Sequence, residues 1–358
     1  MKKLVSIVYF ISILNSAWSQ KSNSIIPADL YFSALQGNVK IIIDKLDSVS
    51  DGELDKEQLS FKNKYLHRFR FQDEDFDYKT KDTVLVSIIK IYQQYWKSIL
   101  LQNKNVEAAD SALKEKLTAY LYSTVSKNKN IPQDTIANNF TEYTKQLLNA
   151  RGFGVANGKT AGYYDLLVWA KESTVNFDVV LLKTKIKVKV VFMDSIITMG
   201  WEEYATFGTY FPGGWATSDA LFCVRSTYDL ESENFKISYL KHEGQHFADY
   251  KLYPELSGAD LEYRAKLIEL SYAQSSIYNL ISFFLGNSSR DRNNSHAFAN
   301  NCVMRDLSKK IFGKEMETDL TKWKNIPIKK INKLSKKLLE QNSANLKKQP
   351  TPVKEFIN

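Results

Sequence analysis

Cysteine is scarce. Two in 358 residues are too few for a disulfide-built scaffold or a Cys-rich metal module. Proline and glycine are sparse as well, 7 and 14, so few breaks are enforced and long helices are expected. There are only four histidines, which makes any patterned pair of them informative. Beyond the first residues no stretch approaches about 18 consecutive apolar residues, so the mature chain is expected to have no membrane span. What is present is ordinary for a globular protein. Hydrophobic residues make up 44% and charged residues 25%, which excludes collagen-like, coiled-coil and mostly disordered classes. Aromatics at 13% supply bulk for a sizeable core. The length fits two or three domains.

The net charge of +9 is not spread evenly. Between Lys309 and Lys348 there are 12 lysines against Glu315, Glu317, Asp319 and Glu340, an excess of 8. The rest of the chain is nearly neutral. Such a run reads first as a basic, solvated helical tail, residues 309–358, with a weak polyanion contact as the alternative. No nucleic-acid partner is expected.

Lys2 and Lys3 precede an apolar run, Leu4–Leu14, and Ala17 and Ser19 place small residues before Gln20. This is the pattern of an export signal over residues 1–19, implying a periplasmic or extracellular protein. No cysteine follows the cut, which argues against a lipid anchor.

From Pro27 to about Ser173 the pattern is helical, as in Val84, Ile88, Ile91, Tyr95 and Ile99, with Gly152, Gly154, Gly158 and Gly162 marking a loop. Residues 20–175 are therefore expected to form a helical N-terminal domain, and they carry no motif tied to chemistry. The texture then changes. Val179–Phe192 alternates apolar and basic residues as a half-buried strand does, and Ala220–Val224 reads as a second strand. A helix capped by Ser232 and running through His242 and His246 follows, then one long helix from about Asp260 to Phe284. Strands followed by helices give an α+β class for residues 176–308.

Residues 242–246 read His242-Glu243-Gly244-Gln245-His246. Two histidines at i and i+4 on one helix face can both reach one Zn²⁺, and Glu243 sits where it can serve as general base without being a ligand. With four histidines in the chain, about 0.005 accidental occurrences are expected. Gly244 inside the helix costs about 1 kcal/mol relative to alanine and suggests close packing there.

On these residues the chain resembles the zincin metallopeptidases over about 180–300. A metzincin would carry a third histidine at position 252, where Leu252 stands, and the inverted H-x-x-E-H form is absent. The resemblance is therefore to the gluzincins, which implies zinc, a zincin-like catalytic domain, peptide or protein substrates, and a glutamate ligand on the next helix. Glu262 and Glu269 lie 16 and 23 residues after His246. Glu262 is preferred: with Ala265 it is similar to the E-x-x-A turn of small gluzincins, while Lys266 departs from the E-x-x-x-D form. Thermolysin-like enzymes use a late histidine as oxyanion donor, a part His296 resembles, with Tyr204 and Tyr210 as rivals. Asp249, three residues after His246, is the candidate partner for its outer ring nitrogen. Phe211–Trp215 is placed to form a sheet edge that takes substrate as an added strand. In an exported chain, Cys223 and Cys302 suggest one disulfide, with two buried thiols as the alternative. A zincin-like domain without turnover, whose helical half recruits a protein partner, is the second functional class. Oligomeric state stays open.

Overall fold

The computed structural model describes residues 30–71, 78–125, 131–350 and 352–358. The expected export signal, 1–19, lies outside the described residues. The chain is mixed α+β. Five strands, β1 (Gly154–Thr160), β2 (Tyr163–Val180), β3 (Lys185–Met199), β4 (Gly214–Ala216) and β5 (Leu221–Val224), are ordered β1-β2-β3-β5-β4. Two compact units divide the chain. Among the described residues one draws on 30–172 with Asp194–Pro212, the other on Ser173–Met193 with 213–358.

Among the described residues of the first unit seven α-helices precede the strands: α1 (Leu30–Leu35), α2 (Val39–Asp47), α3 (Lys56–Phe69), α4 (Thr83–Leu100), α5 (Val106–Val125), α6 (Gln133–Asn138) and α7 (Phe140–Asn149). A short α8 (Trp201–Thr206) follows β3. The periodicity of α4 is that of a core helix. Leu85, Ile88, Tyr92, Tyr95, Trp96 and Ile99 are buried, and the Asp82 carboxylate accepts the Leu85 N–H at 2.9 Å to cap the first turn. The glycine-bearing stretch is not the end of a helical domain. It carries β1, and β2 begins at Tyr163, ten residues before the expected change of texture. Asp165 to Trp169 are all buried, so this segment lacks the alternation that marks a half-exposed strand, and a short continuous apolar run reads equally as helix.

In the second unit the single strand expected over Val179–Phe192 is split by a turn, Val179 and Val180 ending β2 and β3 beginning at Lys185, and β3 carries the expected alternation. Lys185, Lys187 and Lys189 are exposed, Val188 and Val190 buried. It pairs in parallel with β5, from Val190↔Leu221 to Met193↔Val224, and β4 closes the sheet edge antiparallel to β5. Ser232 Oγ accepts the Phe235 N–H at 3.1 Å, as expected of the cap. A π-helical turn, Asn234–Tyr239, runs into α9 (Leu240–Leu252). Next come α10 (Gly258–Tyr272), α11 (Ile277–Gly286), α12 (Ser295–Phe312), α13 (Leu320–Lys324) and α14 (Ile328–Leu346). The single helix expected over 260–284 is two, α10 and α11. Glu233 accepts the N–H groups of Gln274, Ser275 and Ser276 at 2.6, 2.9 and 3.3 Å, together with both serine hydroxyls, so the chain turns out of α10 and restarts.

Every residue of α10 from Ala259 to Ser271 is buried, because α9, α12 and α14 pack around it. The core of this unit joins Val190, Phe192 and Leu221 from the sheet to Leu267, Val303, Leu307, Trp323 and Leu339 from the helices. In the lysine-rich stretch, Ile331, Leu338, Leu339 and Leu346 of α14 are buried while Lys329, Lys330, Lys333 and Lys337 are exposed. The expected disulfide is absent. Cys223 on β5 and Cys302 on α12 are both buried thiols, the sulfurs directed to different carbonyls, Val224 O and Asn358 O, each at 3.8 Å. Both pack as small apolar residues of one core.

Candidate metal centre

Helix α9 presents His242 and His246 to α10, which presents Glu262 and Glu269 in return, while Glu243 lies by the Ala216 main chain of β4. Close packing places α9. A Cβ added at Gly244 would stand 3.2 Å from Val179 Cγ1, so the glycine lets the helix lie directly on the β2–β3 hairpin. A second close approach brings in α12, since a Cβ at Gly258 would stand 2.8 Å from Ser295 Oγ, the residue before His296.

His242, His246 and Glu262 are all buried and offer ligand atoms that lie within 4.8 Å of one another. The two Nε2 atoms are 3.1 Å apart, and Glu262 Oε1 is 3.1 Å from His246 Nε2. His242 Nε2 is 3.6 Å from Glu262 Oε2. Despite these distances neither oxygen of Glu262 accepts a well-aligned hydrogen bond. Two ring nitrogens and a carboxylate crowded together out of solvent form the arrangement a cation would complete. Glu269 stands behind His242, its Oε1 2.5 Å from Nδ1. A proton on Nδ1 leaves the Nε2 lone pair facing inward, the tautomer a ligand needs.

The outer nitrogen of His246 is not held in the expected way. Asp249 is claimed by Arg264, whose Nε and Nη2 donate to it at 2.7 and 2.9 Å, and by Gln245 Nε2 at 3.0 Å. His246 Nδ1 is buried with no hydrogen-bond partner. A guanidinium reaching across from α10 outcompetes a histidine on the same helix, because its planar fork binds both carboxylate oxygens. His296 does reach the group. Its Nδ1 is 3.0 Å from Glu262 Oε2, and at 30% side-chain exposure it is the open rim of an otherwise closed site. Lys266 Nζ lies 3.4 Å from the same oxygen. Tyr204 and Tyr210 belong to the other unit, where they pack against Phe69 and Tyr31 respectively.

The charges are strongly biased. Burial drives the Glu243 carboxyl up to about 8, with His242 opposing it, Glu262 and Glu269 adding to it, and the Ala216 N–H on edge strand β4 pulling weakly the other way. Neither Glu243 oxygen meets a partner of good geometry. Burial also works against an ionised Glu262, but His296, Lys266 and His242 together hold its pKa well below the usual carboxylate range. His242 loses to burial and gains more from Glu269 and Glu262, ending near 10, whereas burial keeps His246 below its ordinary value. Tyr250 lies one turn beyond His246 and stacks on it, ring centroids 6.3 Å apart at 22°. Burial and then the charges of Glu243 and Glu262 raise its phenol, so it stays a hydrogen-bond donor.

Three of these groups play parts that the sequence pattern left unassigned. Lys266 was legible as an i,i+4 partner of Glu262. Tyr250, four residues after His246, repeats the spacing of the two histidines. Glu269 read only as a rival ligand. No protein-family model, curated protein or solved structure matches the chain.

Proposed function

We propose that the chain is an exported, gluzincin-type zinc metallopeptidase, with residues 176–308 as its zincin-like catalytic region. Zinc would be held by His242, His246 and Glu262, and Glu243 would be the general base of peptide-bond hydrolysis. The observation that carries this reading is the buried convergence of two Nε2 atoms and a carboxylate, with a fourth, unpartnered carboxyl beside them on the same helix.

The donor set, two nitrogens and one oxygen, suits zinc and leaves a position for water or substrate. When bound, zinc supplies Lewis acidity and brings the pKa of a water close to 7. Glu243 then does the proton work. One of its oxygens takes the proton from the attacking water, and the same carboxyl returns it to the amide nitrogen as the C–N bond breaks. A pKa driven up to about 8 by burial falls when positive charge is placed nearby, toward the range in which a carboxylate is both ionised and basic enough to act. His296, at the open rim, is the candidate donor to the carbonyl oxygen as charge builds there. The β4 edge, which presents its main chain beside Glu243, suits a peptide added as a further strand.

The second reading, a metal-holding module without turnover, draws on the closure of the site: the ligand side chains are at most 1% exposed. One experiment separates the two. Zinc-loaded protein and its Glu243→Gln variant are offered a denatured protein substrate. The peptidase reading expects cleavage by the first and a loss of about 10²–10⁴-fold in the second at equal zinc content. Full zinc occupancy with no cleavage by either favours the module.

A further inference from the structure

Helix α14 separates its residues by charge. It carries Lys329, Lys330, Lys333, Lys336 and Lys337 and one acid, Glu340. At 3.6 residues per turn all of these fall within an arc of about 120°, opposite the buried Ile331, Leu338 and Leu339. The apolar side packs into the core of its own unit, so what α14 offers outward is charge. Lys329 and Lys333, and again Lys333 and Lys337, are like charges at i and i+4, which weaken a helix. The fold alone gives no reason for that stripe.

The turn between β2 and β3 extends the face. Lys183 in this turn pairs with Glu340 at 3.2 Å and cancels the negative charge on the stripe. Tyr272, the last residue of α10, donates its hydroxyl to the Leu181 carbonyl at 3.0 Å. Over its ring stand Lys336 Nζ, 4.8 Å from the centroid, and Lys241 Nζ of α9, at 4.1 Å. Lys241 also donates to the Val180 carbonyl. Burial and then Lys336 hold the Lys241 pKa below the ordinary lysine value. Seven lysines thus share one continuous face with a single carboxylate. Among the described residues Lys183–Glu340 is the one ion pair these seven lysines make.

We propose that this face docks the protein on an anionic lipid surface, with α14 lying along the headgroups. The inference stands apart from the peptidase reading. Three features favour lipid over nucleic acid. All seven cations are lysines, point charges whose attraction sums over many headgroups, and none is an arginine, whose fork grips single phosphates and base edges. The aromatic ring on the face, Tyr272, is covered by Lys241 and Lys336, so it is no platform for a stacked base. Val180 is 51% exposed beside Lys241 and adds an apolar contact of the kind a lipid boundary rewards. Attachment of this kind is peripheral, and the metal-centre residues, in the same unit, would be held at the membrane surface.

The test is sedimentation of the full chain with phosphatidylcholine vesicles, made with and without phosphatidylglycerol. Binding is expected only with phosphatidylglycerol and should be lost in about 1 M salt, where the screening length is about 3 Å. The triple variant Lys330→Gln, Lys333→Gln, Lys337→Gln should lower the partition coefficient about 10²-fold, each lysine contributing about fivefold at such a surface. The variant Lys56→Gln, Lys64→Gln, Lys145→Gln removes the same charge from the other unit and should bind as wild type does. All six positions are exposed, so the Tm should hold in both variants. Wild-type protein that ignores anionic vesicles overturns the inference. Equal weakening of the two triple variants also overturns it, because net charge would then be the cause. Binding to a single-stranded oligonucleotide but not to vesicles overturns it in favour of nucleic acid.

Discussion

Glu269 Oε1 approaches His242 Nδ1 to 2.5 Å with both side chains only 1% exposed, and this contact decides which ring nitrogen faces the centre. Removing a carboxylate behind a metal-bound histidine commonly costs 10–100-fold in metal affinity. Glu269→Gln is therefore expected to weaken zinc binding about 10–100-fold, read by competition with a chromophoric chelator, and to leave one zinc per chain at saturation. An unchanged affinity would mean that the contact does not orient His242. Sequence spacing could not separate Glu262 from Glu269, because seven residues are two helical turns and both project to one side. What separates them is how far α10 is advanced along α9, a tertiary fact. Asp249 fails as the His246 partner for a similar reason: the competitor, Arg264, lies 15 residues further along the chain.

Between elements, the break that makes α10 and α11 two helices depends on Glu233 and its bonds to residues 274–276. Those serine and main-chain hydrogen bonds outweigh partial burial and bring the Glu233 pKa down to about 2. A depressed carboxylate stabilises the fold fully above its unfolded value, near 4.5, and that contribution is lost as pH falls through about 2. Glu233→Ala should lower the Tm at pH 7 by about 2–4 °C, the shift expected from losing a helix cap. The gap between variant and wild type should narrow steadily below pH 4.5. A gap independent of pH would assign the effect to packing instead. In the sequence, the alternating half of β3 was legible because one face of it is periodic, and α9 because its two histidines stand at i and i+4. The α10–α11 break was not. No proline or glycine marks it, and α10, buried on all sides, shows no polar face to end. The first half of β2 was hidden for the same reason.

At the scale of the molecule, each unit closes its own core, and all the groups of the candidate centre come from the unit built on Ser173–Met193 and Gly213–Asn358. The lysine excess sits in the same unit, five of its twelve lysines on α14, where the interleaved Ile331, Leu338 and Leu339 anchor the helix. No helix among the described residues is long and apolar enough to cross a membrane. If the centre holds zinc, folding and binding are linked. Zinc at 100 times its Kd should add about 2.7 kcal/mol to the stability of the folded chain, and a chelator should remove it. The most direct test of the account is the metal content of the full chain purified without a metal-affinity step and dialysed against zinc. One zinc per wild-type chain is predicted, with none retained by His246→Ala or Glu262→Ala variants that remain folded. Metal-free wild type, or a full equivalent held by Glu262→Ala, would contradict it.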